Sequence, residues 1–465
     1  MGGIIHLEGF MQKTDGINQD AFECQWEERG MTEPLEQIET IVILMMENRS
    51  FDHMLGYLSL PPYNCPLNGI QASQAWLSEH SNPFNGETYT LYHLKEKQFP
   101  ADPPHERYDI SFQLGPPVDG VFPMNGFVGN YAVVQAISMD PAVAPLPAVM
   151  GYYAQEEVPI THFLAQSFTV CDNWFAPLPS STQPNRLMAM SGISMTDSNQ
   201  TVLPDQKLVY DWLNERQVRW RVYHEGMPFF SLMPRWIPEI LSSDRFVPFS
   251  RLVVDVQDES PDTFPQVIFV EPVYTDAPHL GKADDDHPPT SIDGGQEFLK
   301  RTYLSMISNP KRWASTLLIV TYDEHGGIYD HVSPQGWITY PPNGANYPAF
   351  TSSGVRVPAL IISPFVEPGT IYSGALDHTS ILKLLGQKFG DKGGYSSEVD
   401  SRKAGDLIEA LTRTTPRADI QAPPGSPGFV GSVPQNVVAF QKAGEALYLQ
   451  DPAQTKNKFP ELWHF

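Results

Sequence analysis

The sequence predicts an α/β fold, a mostly parallel sheet with helices on both faces. Three observations predict it. Continuous apolar runs at Ile41–Met46, Gln266–Val270 and Thr316–Tyr322 have the length and β-branched content of strands buried on both sides. Segments of helical period alternate with these runs. Polar residues follow the strand ends, namely Glu47-Asn48, Thr182, His224, Glu271 and Asp323-Glu324. In an open parallel sheet the C-terminal strand ends share one crevice, so residues at those positions converge.

The opening strand, Thr40–Met46, stops abruptly on Glu47-Asn48, and Asp52–Leu58 reads as a short helix. Residues 61–130 are rich in Pro, Asn and Gly and form a long insertion carrying Asp102-Pro103-Pro104-His105. A loop of this length inside a compact domain is usually functional. A helical segment over 145–166 leads into a strand at Phe168–Cys171, and a turn through 176–186 leads into a helix at Leu187–Met190. Val218–Tyr223 alternates as a strand and ends on His224. The acidic Asp284-Asp285-Asp286 reads as a solvated loop before a helix from about 295 to 307. Val357–Ile362 is a further strand, and Asp377 or Thr379 caps a helix at 381–389. The expected organisation is an N-terminal extension (1–38), one main domain (39–413) whose insertion walls the site, and a Pro-rich tail with a last helix at 437–447 (414–465).

Composition narrows the function. With 465 residues, 11% aromatic and 18% charged, the chain can bury a large core. Its net charge of −24 argues against a nucleic-acid partner. No stretch of 18 apolar residues is present to span a membrane. The first residues lack a basic region and a long apolar run, so the chain is expected to be cytoplasmic, or exported if a leader was removed. Cys24, Cys65 and Cys171 are isolated, which allows at most one disulfide and excludes a CxxC site.

Hard divalent cations take oxygen ligands. Glu47, Asp323, Glu324 and the Thr182 hydroxyl would supply them, and coordination would activate that hydroxyl as a nucleophile. Neighbours on a strand point to opposite faces, so Asp323 and Glu324 reach one ion only if the strand has ended by Asp323. Thr182 begins a helix, where backbone N–H groups favour an anion. Asn48 would contact an oxyanion, and His105, His224 and His287 would surround the remaining oxygens and protonate a leaving alkoxide. His162, His279 and His331 read as structural. Phe122, Phe127, Tyr131, Tyr152 and Tyr153 would form either an apolar wall for acyl chains or simply core.

Five stretches occur in order: Glu47-Asn48-Arg49-Ser50-Phe51-Asp52-His53, Thr182-Gln183-Pro184-Asn185-Arg186, Asp286-His287-Pro288, Thr321-Tyr322-Asp323-Glu324-His325-Gly326-Gly327 and Asp377-His378-Thr379-Ser380. Together they resemble the phosphoesterase family of non-specific phospholipases C and acid phosphatases. The resemblance implies an alkaline-phosphatase-like α/β/α sandwich and metal-dependent phosphoryl transfer through a phospho-enzyme. It makes Glu47, Thr182, Asp323 and Glu324 the ligands of one divalent ion (Ca, Mg, Mn or Zn), with Thr182 also the nucleophile. Asn48, His105, His224 and His287 become the phosphate contacts. The nucleophile loop departs from the family's usual Gly-Pro-Thr, leaving Ser181 as a second candidate, and no role for His378 follows. The expected substrate is a phosphoglycerolipid, cleaved as a phospholipase C would. The alternatives are an acid phosphatase acting on phosphomonoesters and a non-catalytic cation-binding protein.

Overall fold

A computed structural model describes residues 33–138, 146–276, 282–423 and 425–426. Most of the N-terminal extension, Cys24, His279 and the expected helix at 437–447 lie outside the described residues. Eight strands form the central sheet: β1 (Thr40–Met46), β2 (Thr169–Cys171), β3 (Trp220–His224), β4 (Phe246–Pro248), β5 (Val267–Glu271), β6 (Thr316–Tyr322), β7 (Ala359–Ile362) and β8 (Ile371–Tyr372). Their order across the sheet is β8-β2-β7-β6-β1-β5-β3-β4. Neighbouring strands pair in parallel except at β7, which runs against both β6 and β2.

Every residue of β1 and of β6 is buried, as their unbroken apolar sequence requires. Each fully buried Leu, Ile or Val there contributes roughly 1.5–3 kcal/mol of transfer free energy. Besides a helix at Phe127–Ser138, the helices that frame the sheet and site are α1 (Arg107–Leu114), α2 (Pro159–Ser167), α3 (Thr182–Ser191), α4 (Val209–Glu215), α5 (Arg251–Asp258), α6 (Asp293–Ile307) and α7 (Thr379–Phe389). The α2, α5 and α6 helices pack together, and α3 packs on α7. Met190 of α3, Tyr210 of α4 and Leu385 of α7 meet Ile43, Met45 and Phe269 of the sheet around a small internal cavity. One hydrophobic cluster runs through the fold from Leu35 to Leu411.

Several boundaries differ from the sequence reading. The helix expected over 145–166 is confined to Pro159–Ser167, because Pro159 sets its first turn and Gly151 lies in a short strand. The α3 helix starts at Thr182 rather than Leu187, since Pro184 falls in the first turn, where its missing N–H costs nothing. The insertion is not bare loop: it holds a helix at Gln74–Glu79, a strand pair Asn82–Phe84 with Glu87–Tyr89, and α1. Cys65 and Cys171 are free thiols.

Candidate active site

The register Met46↔Tyr322 makes Glu47 and Asp323 neighbours at the C-terminal edge of the sheet. The β6 strand ends at Tyr322, so Asp323 and Glu324 lie in the following turn and escape strand alternation. Asp323 N donates to Met46 O at 3.1 Å, and Asp323 Oδ1 accepts from Asn48 N at 3.0 Å and Glu324 N at 2.7 Å. Glu324 Oε2 accepts from Gly326 N at 2.8 Å. Gly326 has a φ of +64°, and a Cβ there would stand 2.4 Å from Asn48 O, so only glycine fits the turn. Glu47, Asn48, Asp323 and Glu324 are all buried. Asn48 Oδ1, Asp323 Oδ2 and Glu324 Oε1 have no hydrogen-bond partner among the described residues. Buried carboxylate oxygens left in that condition are costly unless a cation meets them.

Arg186 of α3 supplies part of that charge. Its Nη2 lies 3.1 Å from Glu47 Oε1 and its Nε 3.7 Å from Asp323 Oδ2. Nη2 also donates to Met45 O at 3.2 Å and Nη1 to Tyr274 Oη at 3.2 Å, with the Phe229 and Tyr274 rings stacked 4.9 Å from the guanidinium. One guanidinium does not balance the site. Burial pushes Glu47 well above the usual carboxylate range, against the pull of Arg186. Burial likewise pushes Asp323 up to about 6, with Arg186 opposing and Glu324 adding.

Thr182 stands four residues before Arg186 and so shares its face of α3, at the helix start. Ser181 precedes the helix in extended conformation, and its Oγ donates to Glu106 Oε2 at 3.0 Å. No hydrogen bond among the described residues engages the Thr182 hydroxyl.

Two of the three expected histidines join this edge. His105 Nε2 is 3.3 Å from Asn48 Nδ2, and its Nδ1–H donates to Pro103 O at 2.7 Å. Burial alone would lower the His105 pKa, but Glu324 and Asp102 outweigh it and raise it to about 9. His105 and His287 meet edge to face at 5.6 Å. With Asp102 they bring one donor atom each within 4.8 Å of one another, a group able to hold a metal. His287 Nε2 and Asp102 Oδ1 have no hydrogen-bond partner among the described residues, and Asp276 Oδ2 lies 3.7 Å from His287 Nε2. His224 is placed differently. It is in register with Glu271, two strands across from Glu47 and thus roughly 10 Å away along the same edge. Its Nδ1–H donates to Gly226 O at 2.7 Å, and burial lowers its pKa to about 4.

The acidic segment is not a solvated loop. Asp284, Asp285 and Asp286 are buried, paired with Arg301, Thr275 and Tyr322. Asp285 O also accepts from Glu47 N at 2.9 Å, which ties this segment to the end of β1. Sequence reading missed Arg186 and left His378 without a role. His378 Nε2–H donates to Asp323 O at 2.7 Å while its Nδ1 accepts from Trp174 Nε1 at 3.0 Å, so it holds the turn that carries Asp323. Of the two alternatives for the aromatics, core holds for Phe127, Tyr131 and Tyr153, while Phe122 and Tyr152 are half-buried and packed against it.

The Phosphoesterase family model matches residues 38–391. This chain belongs to that family. Among its relatives, the non-specific phospholipase C3 of Arabidopsis thaliana is 33% identical over 415 residues, covering 82% of this chain and 75% of the relative. Phospholipase C A of Mycobacterium tuberculosis is 28% identical over 479 residues, covering 88% and 85%. Among solved structures, a protein of the alkaline phosphatase superfamily from Vibrio parahaemolyticus overlays 66% of this chain and 83% of its own at 14% identity and a TM-score of 0.33. The phosphoesterase is an enzyme that hydrolyses phosphoric esters, which removes the non-catalytic alternative. No helix among the described residues is long and apolar enough to cross a membrane.

Proposed function

We propose that this phosphoesterase cleaves phosphoglycerolipids as a phospholipase C does, through a phosphothreonine intermediate on Thr182. The supporting observation is the set of three buried oxygens without hydrogen-bond partners among the described residues, Asn48 Oδ1, Asp323 Oδ2 and Glu324 Oε1, at the edge that Arg186 of α3 reaches. Glu47, Asp323, Glu324 and Thr182 would hold one divalent cation there. The cation would lower the Thr182 pKa and neutralise charge on the phosphoryl oxygens. Thr182 Oγ1, its proton released to water, attacks phosphorus in line as the bond to the glycerol oxygen breaks, and diacylglycerol leaves. His105, 3.3 Å from Asn48 Nδ2, would donate the proton to the departing alkoxide. The Thr182 N–H at the start of α3 and the Asn48 amide would receive the phosphoryl oxygens, since the Gln183 N–H is held by Asn199 Oδ1 and Pro184 has none. Water then hydrolyses the phosphothreonine and releases the phosphorylated head group. His287, whose ring meets that of His105 edge to face, would serve the second proton transfer. His224 is fully buried two strands across from β1, so in this reading it does not touch the reacting phosphorus.

Lipid rather than monoester as substrate rests on the relatives being named phospholipases C. Purified enzyme assayed on phosphatidylcholine micelles and on a phosphomonoester side by side tests it. Diacylglycerol release faster than phosphate release is the expected result. The reverse order would make the enzyme an acid phosphatase.

A further inference from the structure

The insertion turns apolar residues outward. Tyr108 is 87%, Phe112 59%, Val118 70% and Val121 60% exposed. Tyr108 and Phe112 are four apart on α1 and share its outer face, while Ile110, Gln113 and Leu114 take the inner one. Val118 and Val121 close a tight turn, each N–H meeting the other's carbonyl at 2.9 and 3.0 Å. Asp119 and Gly120 between them have φ of +50° and +83°. The surface continues onto a second loop. Arg107 stacks 4.0 Å over the Phe350 ring, Phe350 pairs with Thr339, and Ile338 and Tyr340 on either side are 57% and 73% exposed. Phe122 N donates to Ser333 Oγ at 3.0 Å, a second tie between the two loops. A groove lined by Leu114, Pro116, Phe122, Pro179 and Phe350 runs between them.

This rim is joined to the catalytic edge. The α1 helix begins two residues after His105, and its N-cap Glu106 accepts from Ser181, next to Thr182. Pro179 in the groove is three residues before Thr182. Its charge narrows the partner. Arg107 is engaged by Asp197 at 2.8 Å, and Asp119 at the turn is exposed and acidic, so the rim offers no spare cation to an anionic surface. The whole chain carries −24. An apolar rim with tyrosines at its margin and no positive charge fits an electroneutral interface.

We propose that this rim, formed by α1, the Val118–Val121 turn and the Ile338–Tyr340 segment, docks the enzyme on a zwitterionic phospholipid surface. Docking sets the mouth beside His105 and Thr182 against the lipid head groups. The proposal rests on the phospholipase reading, and the test separates the two. Wild-type protein is centrifuged with phosphatidylcholine vesicles beside two variants, Tyr108→Ser/Phe112→Ser and Val118→Ser/Val121→Ser. The second changes only a surface turn and keeps the test independent of helix packing. Wild type should sediment with the vesicles, added phosphatidylglycerol should not strengthen binding, and each variant should bind about tenfold more weakly. Both variants should hydrolyse a monodisperse phosphocholine ester at the wild-type rate while losing most activity on vesicles. Wild type that stays in solution, or variants that sediment equally, would overturn the proposal. So would a concentration-dependent dimer, seen by analytical ultracentrifugation, that both variants abolish without changing vesicle binding. Sedimentation intact with no hydrolysis of any phosphodiester would leave the rim standing and sink the phospholipase reading instead.

Discussion

Arg356 and Arg186 are both buried and each face a pair of carboxylates, and their surroundings differ. Arg356 bonds Asp330 through Nε at 2.9 Å and Asp52 through Nη2 at 3.1 Å, and its Nη1 reaches the carbonyls of Asn68 and Asp172, both at 2.7 Å. The remaining oxygens of Asp52 and Asp330 accept from His331 and from Asp52 N. Asp52, Asp330 and His331 bring donor atoms within 4.8 Å, as a metal site would, yet every carboxylate oxygen is already occupied. This cluster pins the insertion to the sheet. Arg186 meets Glu47 and Asp323 with less complete bonding and leaves Asp323 Oδ2 and Glu324 Oε1 over. The count of acids is similar in both places. What separates a brace from a candidate cation site is the number of lone pairs still without a partner.

Substitutions sharpen that difference. Thr182→Ala should lower kcat by about a thousandfold or more with little change in melting temperature, because it removes the proposed nucleophile and no packing. Unchanged turnover on any phosphoester would move the nucleophile to Ser181. Arg356→Met should destabilise the protein by about 3–5 kcal/mol in urea unfolding, since it strands two buried carboxylates. No divalent cation should restore that loss. Arg186→Met should also destabilise, by about 3 kcal/mol, but here excess divalent cation should recover most of it by taking over the charge. Equal rescue, or none in either variant, would erase the distinction between the two clusters.

The smallest expected effect is a pH dependence from Glu271, whose pKa burial raises to about 7. A carboxyl raised in the folded state contributes stability that is fully present below its unfolded value near 4.5 and is lost as pH rises towards 7. The span is up to about 3 kcal/mol. Urea unfolding at pH 5 and pH 8 should show the decline in wild type and a flatter profile in Glu271→Gln.

The placement of Glu47 and Asp323 at one sheet edge was legible because it follows from strands. The unbroken apolar runs at Ile41–Met46 and Leu317–Tyr322 announce buried parallel strands, and two such strands in register bring the residues after them together. The meeting of Glu47 with Asp323 needed nothing further. Asp284–Asp286 misled because composition shows acids and not their partners. Arg301 lies 17 residues from Asp284, and Tyr322 lies 36 from Asp286. Arg186 and His378 were invisible as site residues for the same reason: each acts on backbone or carboxylates more than 50 residues away. The outward aromatics of α1 could not be told from core aromatics, because a helix of eight residues places either face inward at the same spacing.

Metal content tests the centre of the account most directly. Untreated wild-type protein and Asp323→Asn, purified in parallel, are compared by elemental mass spectrometry and then by calorimetric titration with divalent cations. About one equivalent of a divalent metal in wild type, lost or bound at least tenfold more weakly in the variant, is the predicted result. Equal metal in both proteins, or none in wild type at any cation concentration, would contradict it.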